Sequence, residues 1–488
     1  MVKLSEIWPQ LDKTWLSKFG AVDINRVTGN SKQVTEGDLF VALKGPNCDG
    51  HDFIEEAVRR GARVVVRQEE SRFPADGKTI FIPVKDSHTA LANLAANFYG
   101  NPCRKLKVVG ITGTNGKTTV TYLLEKIINA AGFSCGVIGT INYRIKERVI
   151  PATNTTPGVL ELQGLFGEMV KERIGFCVME VSSHALDQGR TAGVDFAGGI
   201  FTNLASDHLD YHLNRQNYFC AKAKLFQDLK NGAFAVINAD DAIAEKLYGL
   251  TRADIVTYAL RKKADFMVED IALKSDGTDL TLVTPQGKAV MQTRLLGEYN
   301  LYNLLAAAAA GYKLGFDLPV IKKGIAALEL VPGRMETVDC GQPFKVIVDF
   351  AHTEDALKST LKTLLRIAPS SRIILVFGCG GSRDRGKREK MGAVASQLAD
   401  FSIVTSDNPR QEDPQQIIAE IVKGFTAVNK YQVIPDRSQA IKEAIALAKE
   451  KDIVLIAGKG HEAYQIFRDR VVPFDDRLEA RKALSEKH

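Results

Sequence analysis

The sequence has 488 residues, 45% of them hydrophobic and 25% charged, a composition that indicates a folded globular protein and excludes a disordered or collagen-like chain. At about 100–200 residues per domain, the length predicts several domains that each bury a core. Lys and Arg (64) exceed Asp and Glu (58), which gives a net charge of +6. Because no run of five like charges occurs, neither a basic nucleic-acid arm nor an acidic tail is indicated.

The seven cysteines are scattered singly, without a Cys-x-x-Cys pair. This usage fits a reducing compartment and predicts a cytoplasmic protein. The amino-terminal segment lacks the basic and then apolar pattern of an export signal. No stretch approaches the roughly 18 apolar residues that a membrane span requires, so we expect no membrane insertion.

The first 102 residues predict a small α/β domain. Apolar, β-branched runs at 38–43, 63–67 and 79–83 predict strands, and the pattern at 88–99 predicts an amphipathic helix. Asn101-Pro102 breaks this helix, because the residue before a proline disfavours helical backbone. We place the first domain at 1–102 and a linker at its end.

Two further α/β blocks follow, at 103–334 and 335–488. Strands of the second block are predicted at 107–112, 176–181, 199–204 and 233–238, and its helices at 302–314 and 321–328. Strands of the third block are predicted at 345–349, 372–377, 401–406, 431–434 and 452–456. The alternation predicts a mostly parallel sheet in the second domain and a doubly wound, Rossmann-like sheet in the third.

A glycine-rich loop joins the predicted strand 107–112 to a helical pattern that starts at residue 120. The loop consists of Gly113, Thr114, Asn115, Gly116, Lys117, Thr118 and Thr119. In this setting glycines turn backbone N–H groups towards an anion, and the helix N-terminus adds about half a positive charge. We expect the loop to bind a nucleoside triphosphate, with Lys117 at its β- and γ-phosphates and Thr118 on Mg²⁺. The spacing, G-x-x-G-K-T, is shorter than the standard one, and the alternative is a plain glycine-rich turn.

Polar residues end two neighbouring strands of this block. Glu180 ends the strand 176–181, and His208 follows the strand 199–204. We expect them to complete the ligands of one or two Mg²⁺ ions beside the loop, although imidazole is an unusual Mg²⁺ ligand. The alternative for the run at 207–212 is a helix cap with a polar face. The polar segment at 154–157 either binds a substrate or simply makes a turn.

Several motifs, in their order along the chain, resemble the Mur ligase family, the ATP-dependent enzymes that form the amide bonds of the peptidoglycan stem peptide. They lie at 113–119, 179–184, 206–210, 221–226, 297–303, 332–336 and 349–352, so the resemblance covers essentially the whole chain. Residues 30–31, 37–43 and 49–51 resemble the uridine-binding domain of the members that extend UDP-MurNAc-L-Ala-D-Glu. The segment Asp407-Asn-Pro-Arg410 resembles the signature of members that select meso-diaminopimelate.

The resemblance implies a monomer with a UDP-binding first domain, an ATP-binding central domain and an amino-acid-binding third domain. It implies ATP and Mg²⁺ as cofactors, the two substrates just named as partners, and no nucleic acid. Contacts with the UDP moiety are implied for Gly29, Ser31, Pro46, Asn47 and Cys48. Contacts with the muramoyl peptide are implied for Asn154, Thr155, Thr156, Ser182, Gln188 and Arg190. Contacts with ATP are implied for Asn300, Asn303, Arg334, Asp349 and His352, with a helix-surface amide as the alternative for Asn303.

The implied amine pocket consists of Arg383, Asp407, Asn408, Pro409, Arg410, Gly458 and Glu462. The Arg410 guanidinium can bind the distal carboxylate of diaminopimelate through two parallel hydrogen bonds, and lysine lacks that carboxylate. Arg383 is expected to take a second carboxylate, and Asp407 and Glu462 the ammonium groups. The alternative for Asp407–Arg410 is an ordinary turn. Ser382, beside Arg383, departs from the family, where an acidic residue is common.

The resemblance also implies that Lys222 is carbamylated and binds the second Mg²⁺ as a carboxylate. Without the resemblance, Lys222 and Lys224 predict a solvated helix face. The implied catalytic set is Lys117, Glu180, His208 and Lys222. In the expected reaction, a carboxylate first accepts the terminal phosphoryl group of ATP and an amine then displaces phosphate.

Two other functions are alternatives to the ligase. Folylpolyglutamate synthetase shares the short loop but begins nearly at it, whereas this chain carries about a hundred residues before its loop. A phosphate-loop switch or nucleic-acid motor is not supported, because the sequence has no basic stripe with interleaved aromatic residues.

Overall fold

The computed structural model describes residues 1–45, 48–68, 77–205, 207–274 and 276–487. The chain divides into two units by its internal contacts. The first unit contains Met1–Gly110, Phe133–Gly198 and Asp228–Ala233, and the second contains Ile111–Gly132, Gly199–Gln227 and Phe234–His488. Within the described ranges every helix is too short or too polar to cross a bilayer. All seven cysteines lie in these ranges and are free thiols.

The amino-terminal part begins with short elements and ends on one long helix. Its elements are β1 (Val2–Lys3), α1 (Leu4–Ile7), α2 (Lys13–Phe19), β2 (Asp23–Ile24), β3 (Val27–Thr28), β4 (Leu39–Val41), α3 (Ile54–Arg59), β5 (Val64–Gln68), β6 (Ile80–Val84) and α4 (Ser87–Phe98). Strands β3, β4, β5 and β6 form a four-stranded parallel sheet in that order. Strand β4 buries Leu39 and Val41 on one face and Phe40 on the other, as a strand covered on both sides must.

The middle of the chain contains strands and helices that belong to both units. They are β7 (Lys107–Thr112), α5 (Lys117–Ala130), β8 (Cys135–Ile138), β9 (Asn142–Ile145), β10 (Arg148–Pro151), α6 (Val159–Lys171), β11 (Phe176–Glu180), α7 (Ser183–Asp187), β12 (Phe196–Phe201), α8 (Leu209–His212), α9 (Arg215–Gln227), β13 (Phe234–Asn238), α10 (Ala244–Tyr248), β14 (Asp254–Tyr258), β15 (Met267–Leu273), β16 (Thr278–Thr284), β17 (Gly287–Thr293), α11 (Glu298–Lys313) and α12 (Leu318–Ala326).

Each unit has its own part of the middle sheet. In the first unit the strand order is β10-β9-β8-β11 followed by the start of β7, and β8 and β11 are parallel. In the second unit the end of β7 is followed by β12, β13 and β14, of which the last two are parallel. Helix α5 packs there against α11 and α12 and buries Leu123, Leu124 and Ile127. The mostly parallel sheet that the sequence predicts is therefore confirmed.

The middle block differs from the prediction in several elements: β8 and β14 were not predicted, and α11 begins at Glu298 rather than at 302. The strand predicted at 199–204 is Phe196–Phe201, because Thr202 to Leu204 leave the ladder to bond with a loop and with Asp241. The antiparallel hairpin β9–β10 and the three-stranded antiparallel sheet β15-β16-β17 were not predicted.

The last part of the chain is a doubly wound sheet in the second unit. Its elements are β18 (Glu336–Thr337), β19 (Lys345–Asp349), α13 (Glu354–Ile367), β20 (Ile373–Phe377), α14 (Lys387–Leu398), β21 (Phe401–Val404), α15 (Pro414–Val422), β22 (Tyr431–Val433), α16 (Arg437–Leu447), β23 (Ile453–Ala457), β24 (Tyr464–Ile466), β25 (Val471–Pro473) and α17 (Asp476–Lys487). The strand order is β18-β19-β23-β20-β21-β22. Along β20, Ile373 and Leu375 face one buried cluster and Ile374 and Val376 face the other. Helices therefore cover both faces, as the sequence predicts.

Candidate active site

The loop between β7 and α5 leaves no room for side chains at its two glycines. Gly113 and Gly116 have φ of +145° and +89°. A Cβ on Gly113 would lie 1.9 Å from Thr202 Oγ1, and one on Gly116 would lie 2.2 Å from Asn303 Oδ1. Lys117 Nζ donates to the carbonyls of Gly113 (2.9 Å) and Thr114 (2.8 Å). The loop has the backbone shape of a phosphate site at a helix N-terminus.

Residues that follow β12 fix the centre of this loop. Asn203 Oδ1 accepts from the Asn115 amide (2.9 Å), and Thr202 Oγ1 donates to the Asn115 carbonyl (2.6 Å). The Thr114 amide donates to the Asn203 carbonyl (2.9 Å). Thr202 and Asn203 were missed as site residues, because the prediction placed them inside a strand.

A cavity of about 360 Å³ adjoins the loop within the second unit. Several of its lining residues were predicted to contact ATP: Asn115, Gly116, Thr119, Asn303, Arg334 and Asp349. Tyr299, Tyr302 and Asp355 also line it and were not predicted. The sequence could have indicated them only by their position, because they are close to Asn300 and His352 along the chain.

Asn300 and Asn303 lie on α11 and are both buried. Asn303 Nδ2 donates to Asn300 Oδ1 (2.9 Å), and Asn300 Nδ2 donates to the Leu296 carbonyl (2.8 Å). The helix-surface alternative for Asn303 is wrong, because close packing with Gly116 buries the amide.

Arg334 and Asp349 line this cavity, and His352 lies one residue after the lining residue Ala351. Arg334 Nη2 donates to Thr118 Oγ1 (3.4 Å) and its guanidinium lies 4.5 Å from the Phe350 ring centre. Burial raises the pKa of Asp349, against the lowering effect of Arg334. Burial and the Lys387 charge lower the pKa of His352 to about 4, so His352 is neutral at pH 7.

Lys222, on α9, is buried beside the phosphate loop. Its side chain is only 2% exposed, and Nζ donates to the Gly113 carbonyl (2.9 Å) and lies 4.4 Å from the Tyr218 ring centre. Burial, and then the Lys117 charge, lower the pKa of Lys222 well below its usual value. The solvated-face alternative is therefore wrong for Lys222, because its side chain points into the core of the second unit.

His208 comes directly before the single-turn helix α8. Its backbone is left-handed (φ +55°), it makes no side-chain cap bond, and its Nε2 lies 3.5 Å from Asp207 Oδ2. Although burial raises the pKa of Asp207, the charges of His208, His352 and Lys387 lower it below its usual value. Among the described residues, no three His, Cys, Asp or Glu side chains form a group that could hold a metal.

Glu180 belongs to the first unit, where it ends β11 and is buried. Its two carboxylate oxygens accept from the Thr140 amide and hydroxyl, both at 2.9 Å. Thr140 Oγ1 lies 3.1 Å from Thr155 Oγ1. The carboxylate is therefore held in place by neutral donors.

The residues predicted for the muramoyl peptide gather around Glu180 in the first unit. Thr156 Oγ1 donates to the Glu180 carbonyl (2.9 Å) and accepts from the Ser182 amide (3.0 Å). Arg190 donates to the Thr156 carbonyl (3.2 Å) and to Gln188 Oε1 (3.0 and 2.6 Å). The Asn154 carbonyl accepts from the Tyr143 hydroxyl (2.7 Å). These hydrogen bonds hold the turn at 154–156 in place. The peptide-binding role of its residues stays a prediction.

Three of the five residues predicted for UDP can be described. Ser31, at the start of a 3₁₀ turn, donates to Glu56 Oε2 (2.7 Å). Gly29 lies beside Leu43, and Cys48 is exposed. Pro46 and Asn47 lie outside the described residues.

The predicted amine-pocket residues come together after β20, β21 and β23. Asn408 Nδ2 donates to Glu462 Oε2 (2.8 Å), and buried Lys459 donates to both Asn408 Oδ1 (3.1 Å) and Glu462 Oε2 (3.0 Å). Asp407 approaches Gly458, where a Cβ would lie 2.8 Å from Asp407 Oδ2. The ordinary-turn alternative does not describe a segment whose side chains are bonded in this way. Lys459 was missed, because a lysine between glycines gives no pattern.

Arg383 and Arg410 bring two positive charges to the same pocket. Arg410 is half-buried and donates to the Gly381 carbonyl (3.0 Å). Its burial and the neighbouring Arg383 charge lower the pKa of Arg410. Two guanidinium groups held near each other form a site for an anion.

Three family profiles match successive parts of the chain. The profile described as "Mur ligase family, catalytic domain" matches residues 23–99, "Mur ligase middle domain" matches 111–311, and "Mur ligase, glutamate ligase domain" matches 333–460. A protein from Geobacillus kaustophilus is 46% identical over 493 residues, covering 100% of both chains. The chain belongs to the Mur ligase family.

The Geobacillus relative of this Mur ligase is named UDP-N-acetylmuramoyl-L-alanyl-D-glutamate--2,6-diaminopimelate ligase. A relative of the same name from Halalkalibacterium halodurans is 43% identical over 490 residues and also covers 100% of both chains. A solved structure of a ligase of that name has a TM-score of 0.72 and 35% identity, covering 100% of this Mur ligase and 99% of the other chain. The family resemblance and the fold class predicted from the sequence are thus confirmed.

Proposed function

We propose that the protein is an ATP-dependent amide ligase that joins meso-diaminopimelate to the D-Glu γ-carboxylate of UDP-MurNAc-L-Ala-D-Glu. The observation that carries the proposal is the cavity in which the phosphate loop faces Asn303, Arg334 and Asp349. Such a cavity fits a nucleotide whose phosphates lie at Lys117. Full-length relatives that bear the name of this ligase, rather than of folylpolyglutamate synthetase, support the choice of substrates.

The reaction has two steps. The γ-carboxylate attacks the terminal phosphorus of ATP, the bond to the ADP oxygen breaks, and an acyl phosphate forms. The unprotonated amine then attacks the acyl carbon, phosphate leaves, and the nitrogen loses a proton as the amide forms. Lys117 donates to two loop carbonyls in the structure and would donate to phosphate oxygens when ATP is bound. Positioning supplies most of the rate in such a reaction.

The candidate ligands of Mg²⁺ fit a hard cation only in part. Thr118, His208 and Lys222 are the candidates in the second unit, and Glu180 is the candidate in the first. A bound Mg²⁺ would supply positive charge against the phosphate oxygens. Lys222 cannot be a ligand of Mg²⁺ as an ammonium. Burial lowers its pKa and so favours the neutral amine. A neutral amine can add to CO₂ and, on losing a proton, become a carbamate, which we propose as its working state.

Amine selection is assigned to the pocket after β20 and β21. Arg410 would bind the distal carboxylate of meso-diaminopimelate, Arg383 a second carboxylate, and Asp407 and Glu462 its ammonium groups. Glu462 already accepts from Lys459 and Asn408, so it has to share its carboxylate with the substrate. L-Lysine, which has an ammonium but no carboxylate at its far end, would meet two like charges.

The remaining assignments are also proposals. We assign Gly29, Ser31 and Cys48, together with Pro46 and Asn47, to UDP, and the cluster around Thr156 to the muramoyl peptide. We place the domain bounds at 1–102, 103–334 and 335–488, and expect a monomer. Seven free thiols support a reducing compartment such as the cytoplasm.

Product analysis tests the proposal. The protein is incubated with ATP, Mg²⁺, UDP-MurNAc-L-Ala-D-Glu and, separately, meso-diaminopimelate, L-lysine or L-ornithine, and the products are weighed by mass spectrometry. We expect one new amide with meso-diaminopimelate and one phosphate released per amide. Release of phosphate without either the amine or the UDP-peptide would instead indicate an ATPase.

A further inference from the structure

Two loops carry the paired guanidinium groups. One follows β20 and spans 378–386, and the other follows β21 and spans 405–413. The Gly381 amide donates to the Asn408 carbonyl (2.9 Å), and Arg410 Nη1 donates back to the Gly381 carbonyl (3.0 Å). The position of Arg383 relative to Arg410 therefore depends on how firmly these two loops are joined.

Both loops contain a non-glycine residue with left-handed backbone. Ser382 has φ of +52° and Arg410 has φ of +54°. For residues with a Cβ this conformation is unfavourable and persists only where neighbouring groups hold it. A specific contact must therefore hold the Ser382 turn.

Glu412 provides that contact. Its Oε1 accepts from the Ser382 amide (2.5 Å) and from Arg388 Nη2 (3.0 Å), and its Oε2 accepts from Arg388 Nη1 (3.0 Å). Arg385 Nη2 also lies 3.1 Å from Glu412 Oε2. The bonds from Arg388 lower the pKa of Glu412 to about 2, so this carboxylate is charged at pH 7. Because these donors already neutralise it, Glu412 competes weakly for Arg383 and Arg410.

Arg388 also binds a second carboxylate, that of Glu420, which makes no contact with the two loops in the hydrogen bonds of the described residues. Arg388 is fully buried on α14, and its Nη1 donates to Glu420 Oε2 on α15 (2.8 Å). Within the described part of the chain, no hydrogen bond joins Glu420 to either loop. Glu412 and Glu420 thus share one buried partner and differ in their contact with Ser382.

We propose that Glu412 is a positioning residue for substrate selection: through Ser382 and Arg388 it fixes Arg383 against Arg410, so that the two guanidinium groups meet the two carboxylates of a diamino diacid. The inference rests on the proposed function, whose amine substrate carries those carboxylates. It explains how the chain keeps this loop in place although Ser382 replaces the acidic residue common in the family. An amine without a distal carboxylate does not use the pair and gains nothing from Glu412.

The test compares Glu412→Gln with Glu420→Gln in steady-state ligation. A glutamine at 412 keeps the side-chain volume but turns one acceptor into an NH₂ group that faces the Arg388 donors. The contact between the two loops is therefore weakened. We expect the KM for meso-diaminopimelate to rise about tenfold, the size of one charge-assisted hydrogen bond. The KM for ATP and for the UDP-peptide should stay within about twofold, and E420Q should leave all three KM values within about twofold.

Two further variants separate positioning from a general loss of structure. Ser382→Gly in the E412Q background should recover part of the meso-diaminopimelate KM, because glycine adopts a positive φ without the Cβ penalty. Should E412Q fail to fold, Glu412→Asp gives the same comparison, since it keeps the charge but withdraws it by one methylene. The preference for meso-diaminopimelate over L-lysine is measured for each variant and should fall with E412Q alone.

The outcomes distinguish this inference from the proposed function. An unchanged meso-diaminopimelate KM in E412Q, or an equal rise of every KM in E412Q and E420Q, overturns the role of Glu412 and leaves the ligase intact. A wild-type protein that forms no amide from meso-diaminopimelate overturns the proposed function itself.

Discussion

The phosphate loop and the proposed amine pocket both follow parallel strands of the second unit, yet they present different kinds of groups. Between β7 and α5 the chain offers backbone groups, and Gly113 and Gly116 are fixed by the absence of space for a Cβ. After β20 and β21 it offers side chains: Arg410 donates to the Gly381 carbonyl, and Glu412 accepts from the amide of Ser382, the residue before Arg383.

This difference determines how each site responds to change. A backbone site is specified by a few adjacent residues and serves every reaction that the enzyme performs. A side-chain site depends on residues from several loops and discriminates among substrates. Mutations should therefore act on all amines at the first site and on one amine at the second.

The largest effect is expected for Lys117→Ala. Loss of the ammonium beside the transferred phosphoryl group should lower kcat by ~100- to 1,000-fold with any amine, because one preorganised charge is removed from the transition state. The KM for meso-diaminopimelate should not change. Steady-state kinetics with Lys126→Ala, on the same helix but away from the loop, supply the control. If kcat fell with only one of the amines, the contrast between the phosphate loop and the amine pocket would be wrong.

The next effect concerns Lys222 and its neighbour Lys224. Lys222→Ala should lower kcat by roughly 100-fold, and added acetate or formate should restore part of it by replacing the proposed carbamate. Lys224→Ala, on the less buried side of α9, should retain activity. If Lys222→Ala is fully active without added acid, the carbamate is ruled out.

A more selective effect is expected for Arg410→Lys. A lysine keeps the charge but loses the two parallel hydrogen bonds, so the KM for meso-diaminopimelate should rise about 10- to 100-fold. Use of L-lysine as the amine should not fall, and the KM for ATP serves as an internal reference. An equal loss with every amine would show that Arg410 supports the fold rather than the choice of substrate.

The smallest effect is on stability and is seen only in acid. The folded-state pKa of Glu412 is about 2, below its usual value of 4.5. Its stabilising contribution is therefore complete above pH 4.5 and lost as the pH falls towards 2. The urea midpoint of the wild type should exceed that of E412Q at pH 6, and the two should converge near pH 2. A gap that is constant with pH would mean that the Glu412 charge does not stabilise the loop.

Much of this arrangement could be predicted from the sequence. The strands β7 and β19 have the predicted bounds, because apolar runs between polar turns are typical of buried parallel strands. The phosphate loop was predicted from seven adjacent residues. The parallel sheets followed from the alternation of strand and helix.

What the sequence could not show depends on distant contacts. Lys222 is buried because α9 packs beside the phosphate loop. The sequence around Lys222, which includes Lys224, does not indicate this packing. Lys459 bonds to Asn408, 51 positions away, and Arg388 bonds to Glu412, 24 positions away. The strands β15, β16 and β17 were missed because their short alternating runs carry many polar residues.

The central claim is that the terminal phosphoryl group of ATP is transferred to the substrate carboxylate. It is tested most directly with UDP-MurNAc-L-Ala-D-Glu labelled with ¹⁸O in the γ-carboxylate, by mass analysis of the phosphate released during ligation of meso-diaminopimelate. The account predicts one ¹⁸O atom in the phosphate for each amide formed. Amide formation with unlabelled phosphate would contradict the acyl-phosphate route.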